Sequence, residues 1–142
     1  MHRTSRLTLL LLACALPASA DVRLATIFTN DMMFQRDQPV RVWGWADPGE
    51  KVNVSLSGNS ASSQAADDGA WAVELPALKS GENLELAVSG KNKLTLTNII
   101  VGDIWICSGQ SNMEMRLAGC LGSQEDIAAA DLPKIRRIKI NR

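Results

Sequence analysis

The chain contains one histidine, no tyrosine and three cysteines among its 142 residues. The histidine, His2, lies in a leader-like segment that we expect to be removed, so the mature chain has no imidazole to serve as a general base. No Cys/His cluster has the spacing of a zinc site, and no glycine-rich phosphate loop is present. The sequence therefore predicts neither a metal ion nor an organic cofactor.

An excess of charge of one sign is also missing. The 15 Lys and Arg residues are balanced by 15 Asp and Glu residues. No basic patch is large enough to bind nucleic acid. Beyond the first twenty residues, no apolar run approaches the length of a membrane span. These absences exclude nucleic-acid-binding and membrane-spanning proteins.

Residues 1–20 have the pattern of a secretory signal peptide. A positively charged start precedes an apolar run, Leu7 to Leu16, and Ala18-Ser19-Ala20 forms a small-residue cleavage site before Asp21. We therefore expect an exported protein, either periplasmic or extracellular. One alternative stays open, because the four residues that end at Cys14 resemble a lipoprotein processing site.

Residues 21–98 show short apolar-polar alternations separated by turns. The pattern predicts antiparallel strands with one buried face, arranged as a small β-sandwich. Three indole side chains fall on these strands; we expect them in the core, although a sugar-stacking face is the alternative. The alternating positions are Val40 and Val42; Val52, Val54 and Leu56; Trp71, Val73 and Leu75; Leu84, Leu86 and Val88; and Leu94 and Leu96. The turns are Asp47-Pro48-Gly49-Glu50, Asp67-Asp68-Gly69 and Lys91-Asn92. The three tryptophans are Trp43, Trp45 and Trp71.

Residues 99–142 have a different hydrophobic pattern. Two apolar runs without alternation, Ile99 to Val101 and Ile104 to Ile106, are typical of strands covered on both faces. Gln124 to Asp131 reads as a short helix, and Ile135 to Ile140 as the start of another strand. The order strand, helix, strand is typical of the beginning of an α/β layer domain. Since about forty residues is the lower limit for an independent core, we expect this unit to be incomplete.

Ser111 is the candidate nucleophile. It lies in a glycine-bearing turn just after the predicted strand Ile104 to Ile106, and such a turn holds a hydroxyl at the rim of a sheet. Gly109-Gln110-Ser111 matches the first half of the nucleophile elbow of α/β-hydrolases, but Met113 stands where that motif requires glycine. That family is therefore excluded. Asn112 either orients the turn through its side chain or is simply a turn-favouring residue.

The stretch from Val101 to Met115 resembles the first sequence block of SGNH-type (GDSL-like) hydrolases, in the variant of the sialate O-acetylesterase family. Two earlier motifs, Asp31 to Arg36 and Pro39 to Glu50, resemble the same family. The resemblance implies a mainly β chain, with an N-terminal antiparallel sandwich followed by the truncated start of an α/β/α SGNH-hydrolase domain. It also implies a serine esterase that removes acetyl groups from sugar hydroxyls without a cofactor.

In that family the block-one serine attacks the ester carbonyl, and its backbone N–H helps to hold the oxyanion. These roles fall on Ser111, with Gly109, Gln110 and Asn112 supporting the turn. The family's further oxyanion donors and its Asp-x-x-His belong to later blocks, none of which is present in this chain. We therefore expect an N-terminal portion that is inactive alone. A carbohydrate-binding sandwich without catalysis is the alternative.

The remaining polar and sulfur-bearing residues have simpler interpretations. Asp103 precedes the predicted strand, at the far end from the serine, so we expect a structural turn role. Export permits a disulfide between Cys107 and Cys120. However, Cys107 adjoins an apolar strand where buried free cysteine is common, so we favour no bridge. The basic residues Arg136, Arg137 and Lys139 are expected to form a solvated edge.

Overall fold

Two packed β-sheets and a C-terminal segment make up the computed structural model, which describes residues 21–140. The predicted signal peptide and Cys14 lie outside the described residues. The strands are β1 (Arg23–Leu24), β2 (Met33–Gln35), β3 (Val40–Trp45), β4 (Lys51–Leu56), β5 (Asn59–Gln64), β6 (Ala70–Leu75), β7 (Gly81–Ser89) and β8 (Lys93–Gly102). The three-stranded sheet has the order β1-β3-β6, and the five-stranded sheet has the order β2-β8-β7-β4-β5.

The predicted mainly β sandwich is confirmed. Neighbouring strands pair antiparallel except β2 and β8, which run parallel. The alternating valines and leucines face the space between the sheets; Val42, Val52 and Val54 are completely buried there. The predicted type II turn forms after β3, where Gly49 has a φ of 75° and the Glu50 N–H donates to the Asp47 carbonyl at 2.9 Å.

Strand β5 has no apolar alternation and was not predicted. It is the edge strand of the five-stranded sheet and follows β4 through a two-residue turn, with Leu56 opposite Asn59. Ser57 and Gly58 both have positive φ, at 51° and 78°, which suits the tight hairpin. An edge strand that is exposed on alternate residues needs little apolar surface, so its hydrophobic pattern is weak.

Strand β8 continues beyond the predicted end of the sandwich. It runs from Lys93 to Gly102, so the predicted boundary between residues 98 and 99 falls inside it. Ile99 and Val101 are buried in the sandwich core, and this part of β8 is paired with β7 on one side and with β2 on the other. The prediction that this apolar run is a strand agrees with the structure.

After Gly102 the chain forms two 3₁₀ turns, η1 (Ser111–Glu114) and η2 (Leu117–Gly119), and one helix, α1 (Ser123–Ala129). The predicted helix is confirmed, within two residues at either end. Within residues 103–140 no strand forms, and Trp105 and Ile106 are 84% and 93% exposed. A strand covered on both faces needs neighbouring strands, and the described residues place none beside Ile104 to Ile106.

The three sandwich tryptophans do not share one environment. Trp71 is 4% exposed, as expected of a core residue. Trp43 and Trp45 are 37% and 44% exposed on the outer face of the three-stranded sheet, so the predicted core position is wrong for these two. The period of two explains the difference, because Val42 and Gly44 occupy the inward positions of β3.

The start of the described chain is fastened to the turn between β7 and β8. The Val22 N–H donates to Asn92 Oδ1 at 2.7 Å, and Asn92 Nδ2 donates back to the Val22 carbonyl at 3.2 Å. Val22 itself is 1% exposed and belongs to the core. Val22, the second described residue, is therefore held to the sandwich by both its backbone and its side chain. None of the helices in residues 21–140 is long and apolar enough to cross a membrane.

Candidate functional site

Ser111 is the first residue of the 3₁₀ turn η1, and it is exposed. The preceding residue, Gln110, is extended, with φ of −90° and ψ of −164°, and its carbonyl accepts from the Met113 N–H at 2.9 Å. Extended backbone followed at once by a helical turn is a sharp change of direction. The first N–H groups of such a turn have no partner inside it, so the Ser111 N–H is of the kind that can hold an oxyanion.

The residues around Ser111 close the turn tightly. A Cβ at Gly109 would lie 2.8 Å from Met113 Cγ, so a larger residue would displace the methionine. The Asn112 carbonyl accepts from the Met115 N–H at 3.3 Å. Among the described residues the Asn112 side chain makes no hydrogen bond, which favours its interpretation as a turn former. Met113 and Met115 are 53% and 69% exposed, so the turn is not packed against the sandwich.

No general base accompanies the serine in residues 21–140, which contain no histidine. The acidic residue Asp103 is held elsewhere, because its Oδ1 accepts from Arg36 Nε at 2.8 Å. That hydrogen bond and the carboxylate charge raise the pKa of Arg36 above its usual value. Glu114 is exposed within the same turn as the serine. The pairing of Asp103 agrees with its predicted structural role.

The residues before Ser111 are anchored to strand β2. The Arg36 N–H donates to the Gly102 carbonyl at 2.9 Å, and the Ile104 N–H donates to Gln35 Oε1 at 2.8 Å. Sequence reasoning assigned no individual role to Gln35 of β2 or to Arg36 just after it, although both belong to a motif that resembles the esterase family. Their partners lie nearly seventy positions away along the chain. Alternation and turn patterns are local and do not predict contacts between residues so far apart.

A second anchor holds the chain after helix α1. Arg136 Nη1 pairs with Asp31 Oδ1 at 3.3 Å, and its Nη2 donates to Asn98 Oδ1 at 3.2 Å. The Arg136 side chain is only 23% exposed, so its predicted place on a solvated edge is wrong, whereas Arg137 and Lys139 are exposed. Both anchors use the β2–β8 side of the five-stranded sheet. The segment that carries Ser111 is therefore a long loop tied down at its two ends.

Cys107 and Cys120 are both free thiols. The absence of a bridge agrees with the prediction, but its reason was wrong, because Cys107 is exposed rather than buried against a strand. Among residues 21–140, no three His, Cys, Asp or Glu side chains are grouped closely enough to hold a metal ion. The described chemistry of the site consists of the exposed Ser111 hydroxyl, the Ser111 backbone N–H and the turn that presents them.

No family model matches the chain. The sialate O-acetylesterase of Homo sapiens is 30% identical over 123 residues, which cover 78% of this chain and 24% of the human protein. The sialate O-acetylesterase of Rattus norvegicus is 28% identical over 138 residues, covering 86% of this chain and 25% of the rat protein.

Among solved structures, a carbohydrate acetylesterase from Xanthomonas citri superimposes with a TM-score of 0.74 at 36% sequence identity. The match covers 79% of this chain and 26% of that one. The chain thus spans about a quarter of the length of the proteins that it matches. The agreement of sequence and fold over most of the chain places it in a sialate O-acetylesterase-like family.

Proposed function

We propose that the chain carries the nucleophilic serine of an exported carbohydrate O-acetylesterase, and that Ser111 is that serine. The observation that carries the proposal is the position of Ser111, at the start of an exposed helical turn that follows the last sandwich strand. Membership in a family of acetylesterases supplies the substrate class, an acetylated sugar or glycan. No metal or organic cofactor enters the proposed reaction.

The proposed reaction is serine acyl transfer. Ser111 Oγ forms a bond to the acetyl carbon while its proton passes to a general base, and the backbone N–H of Ser111 donates to the developing oxyanion. The bond from the acetyl carbon to the sugar oxygen then breaks, and that oxygen takes up a proton. Water hydrolyses the acetyl-enzyme to acetate. Since residues 21–140 contain no histidine, we propose that the base and the remaining oxyanion donors come from outside them.

The test uses the complete product of the gene and follows acetate release from acetylated xylan and from p-nitrophenyl acetate. Ser111→Ala should lower the rate by roughly 10⁴–10⁶-fold, because a methyl group cannot attack the ester. Ser108→Ala is the matched control, since Ser108 is exposed in the same turn region. It should leave the rate within a few fold of wild type. Wild-type turnover by a folded Ser111→Ala variant would place the nucleophile elsewhere.

The chain that ends at Arg142 should be inactive in the same assay. An isolated serine hydroxyl is a weak nucleophile near neutral pH, and each missing oxyanion donor costs on the order of 10²–10³ in turnover. Its rate should therefore equal that of its own Ser111→Ala variant. Turnover that depends on Ser111 would contradict this and would show that a partner chain supplies the base.

A second candidate function is carbohydrate binding by the sandwich without catalysis. One observation favours it, namely the outward position of Trp43 and Trp45. The coding sequence downstream of Arg142 separates the two candidates. A reading frame that continues to an Asp-x-x-His supports the esterase, and a stop codon directly after Arg142 supports binding alone.

A further inference from the structure

We propose that the outer face of the three-stranded sheet binds a neutral, extended polysaccharide chain at a site separate from Ser111. The site is a shallow groove with Trp43 and Trp45 on one side, Ala70 and Ala72 along its floor, and the edge strand β5 on the other side. We call it the indole groove. It requires no chemistry at Ser111, so it goes beyond the proposed esterase function.

Two exposed rings form the aromatic side of the indole groove. Trp43 and Trp45 occupy alternate positions of β3, so their Cα atoms lie about 7 Å apart on the same face. The Phe28 ring meets Trp43 edge to face, with centroids 4.7 Å apart and an interplanar angle of 78°. Phe28 is buried and therefore holds Trp43 in place. Fixed rings at this spacing present flat apolar surfaces to the C–H faces of neighbouring sugar rings.

The pairing register of β3 with β6 creates the space beside these rings. Trp43 lies opposite Ala72, and Trp45 lies opposite Ala70. Two small side chains next to two large ones leave a trough rather than a filled surface. On its far side, Gln64 of β5 is fixed because its Nε2 donates to the Gly49 carbonyl at 2.8 Å, so its amide oxygen has a defined position as an acceptor.

Unsatisfied polar groups lie in the same place. The indole N–H of Trp71 and the hydroxyl of Ser63 are both buried without a hydrogen-bond partner in the described structure, and both residues line the groove. Buried polar groups in folded proteins nearly always have a partner. Because Ser63 and Trp71 occupy inward positions of β5 and β6, these two atoms lie beneath the groove, and a ligand on the outer face would meet Trp43, Trp45 and Gln64 instead.

The charges of the groove favour a neutral sugar. Its cation, Arg41, lies directly opposite Glu74 in the pairing of β3 with β6, so the local charge is balanced. An acidic sugar would meet Glu74 beside the arginine and gain little. Because the groove is open along a sheet face, a polysaccharide can lie across it and does not need to enter by its end.

Cellohexaose and xylohexaose, titrated into the chain by calorimetry, test the proposal. Wild type should bind at least one of them, and Trp45→Ala should weaken binding by tenfold or more, because it removes one of the two flat apolar surfaces that the groove offers to a sugar ring. Trp105→Ala is the matched control, since Trp105 is also exposed but lies outside the groove. It should bind like wild type, and so should Ser111→Ala, which separates this proposal from the esterase. Amide NMR spectra verify that each variant is folded.

Several outcomes would overturn the proposal. Binding of neither oligosaccharide by the folded chain would do so, as would equal losses in Trp45→Ala and Trp105→Ala. Tighter binding of N-acetylneuraminic acid than of either neutral probe would show that the ligand class is wrong. Loss of oligosaccharide binding in the complete gene product would show that another part of the protein covers the groove.

Discussion

Gly44 lies where two backbones approach most closely in the sandwich. A Cβ at this position would lie 1.9 Å from the carbonyl oxygen of Arg23 in β1. The obstacle is backbone rather than the end of a flexible side chain, so it cannot move aside without disturbing the pairing of β1 with β3. At this residue the absence of a side chain is what allows the first strand to join the sheet.

Gly44→Ala should therefore destabilise the sandwich by about 1–3 kcal/mol or more, in the range of overpacked cores. Urea unfolding followed by circular dichroism measures the change. Gly119→Ala is the control, because a Cβ there meets no atom within 4 Å, and it should shift stability only slightly. Equal midpoints for the two variants would show that β1 does not need the close approach.

Single residues also show where sequence reasoning ends. The exposed turn position of Ser111 was predicted, because glycine and a short polar run determine a turn locally. The burial of Arg136 was not, since its partners Asp31 and Asn98 lie on distant parts of the chain. The composition and spacing of residues predict local structure. Ion pairs between distant segments depend on the complete fold, so these patterns do not predict them.

At the scale of elements, strands with one buried face were the predictable ones. β3, β4 and β6 alternate strictly, and each inward residue is covered by the opposite sheet. β5 has no such signal, because it is held mainly by backbone pairing with β4. The expected strand at Ile104 to Ile106 does not form, since an apolar run becomes a strand only beside partners.

Ion pairs join the connections between elements. Asp37, in the turn between β2 and β3, accepts from Lys79, between β6 and β7, with Nζ and Oδ1 2.5 Å apart. The hydrogen bond from Lys79 lowers the pKa of Asp37 below its usual value, and the neighbouring Arg36 lowers it further. The side chains of Lys79 and Asp37 are 89% and 40% exposed, so water screens the pair and it contributes only a small part of the stability.

The lowered pKa fixes the direction of the pH dependence. The Asp37 contribution is fully present above the carboxyl's ordinary pKa and is lost as the pH falls through the lowered folded-state value. Asp37→Asn should therefore flatten the acid side of the stability curve, measured by urea unfolding from pH 6 to pH 2. Lys79→Gln should flatten it similarly, and the double variant should add little to either change. A fully additive double variant would show that the two side chains act separately.

For the whole molecule, the contrast lies between a hydrogen-bonded sandwich and a tethered loop. Residues 103–140 have many exposed apolar side chains, and their polar contacts with the sandwich are the two anchors at β2 and β8 and the ion pair of Lys134 with Glu82 of β7. Local opening requires least energy where few buried contacts must break. The C-terminal segment is therefore the part of the chain that opens most easily.

Limited trypsin digestion of the chain should cut first after Arg116, which is exposed between η1 and η2. The backbone in the strands is paired and should resist cleavage much longer. Mass spectrometry of early time points should detect a fragment that ends at Arg116. First cuts within β4 or β8, after Lys51 or Lys93, would instead indicate that the sandwich opens before the loop.

Processing of the leader is a further property of the whole chain. The charged start, apolar run and Ala18-Ser19-Ala20 predict that the exported protein begins at Asp21. Intact-mass measurement of protein recovered from the periplasm or the medium checks this. A lipid-modified Cys14 at the N-terminus would replace the prediction with the lipoprotein alternative.

The two hydrogen bonds between Val22 and Asn92 lie directly beside the predicted leader cleavage site. Val22 immediately follows the proposed first residue of the mature chain, and in the folded sandwich both of its backbone groups are engaged and its side chain is buried. A peptidase binds the residues on both sides of the cleaved bond in an extended, accessible form. The hydrogen bonds between Val22 and Asn92 prevent this in the folded sandwich. Cleavage and folding therefore compete for the same few residues. If the predicted leader is removed before Asp21, we therefore expect cleavage to precede the closing of these hydrogen bonds.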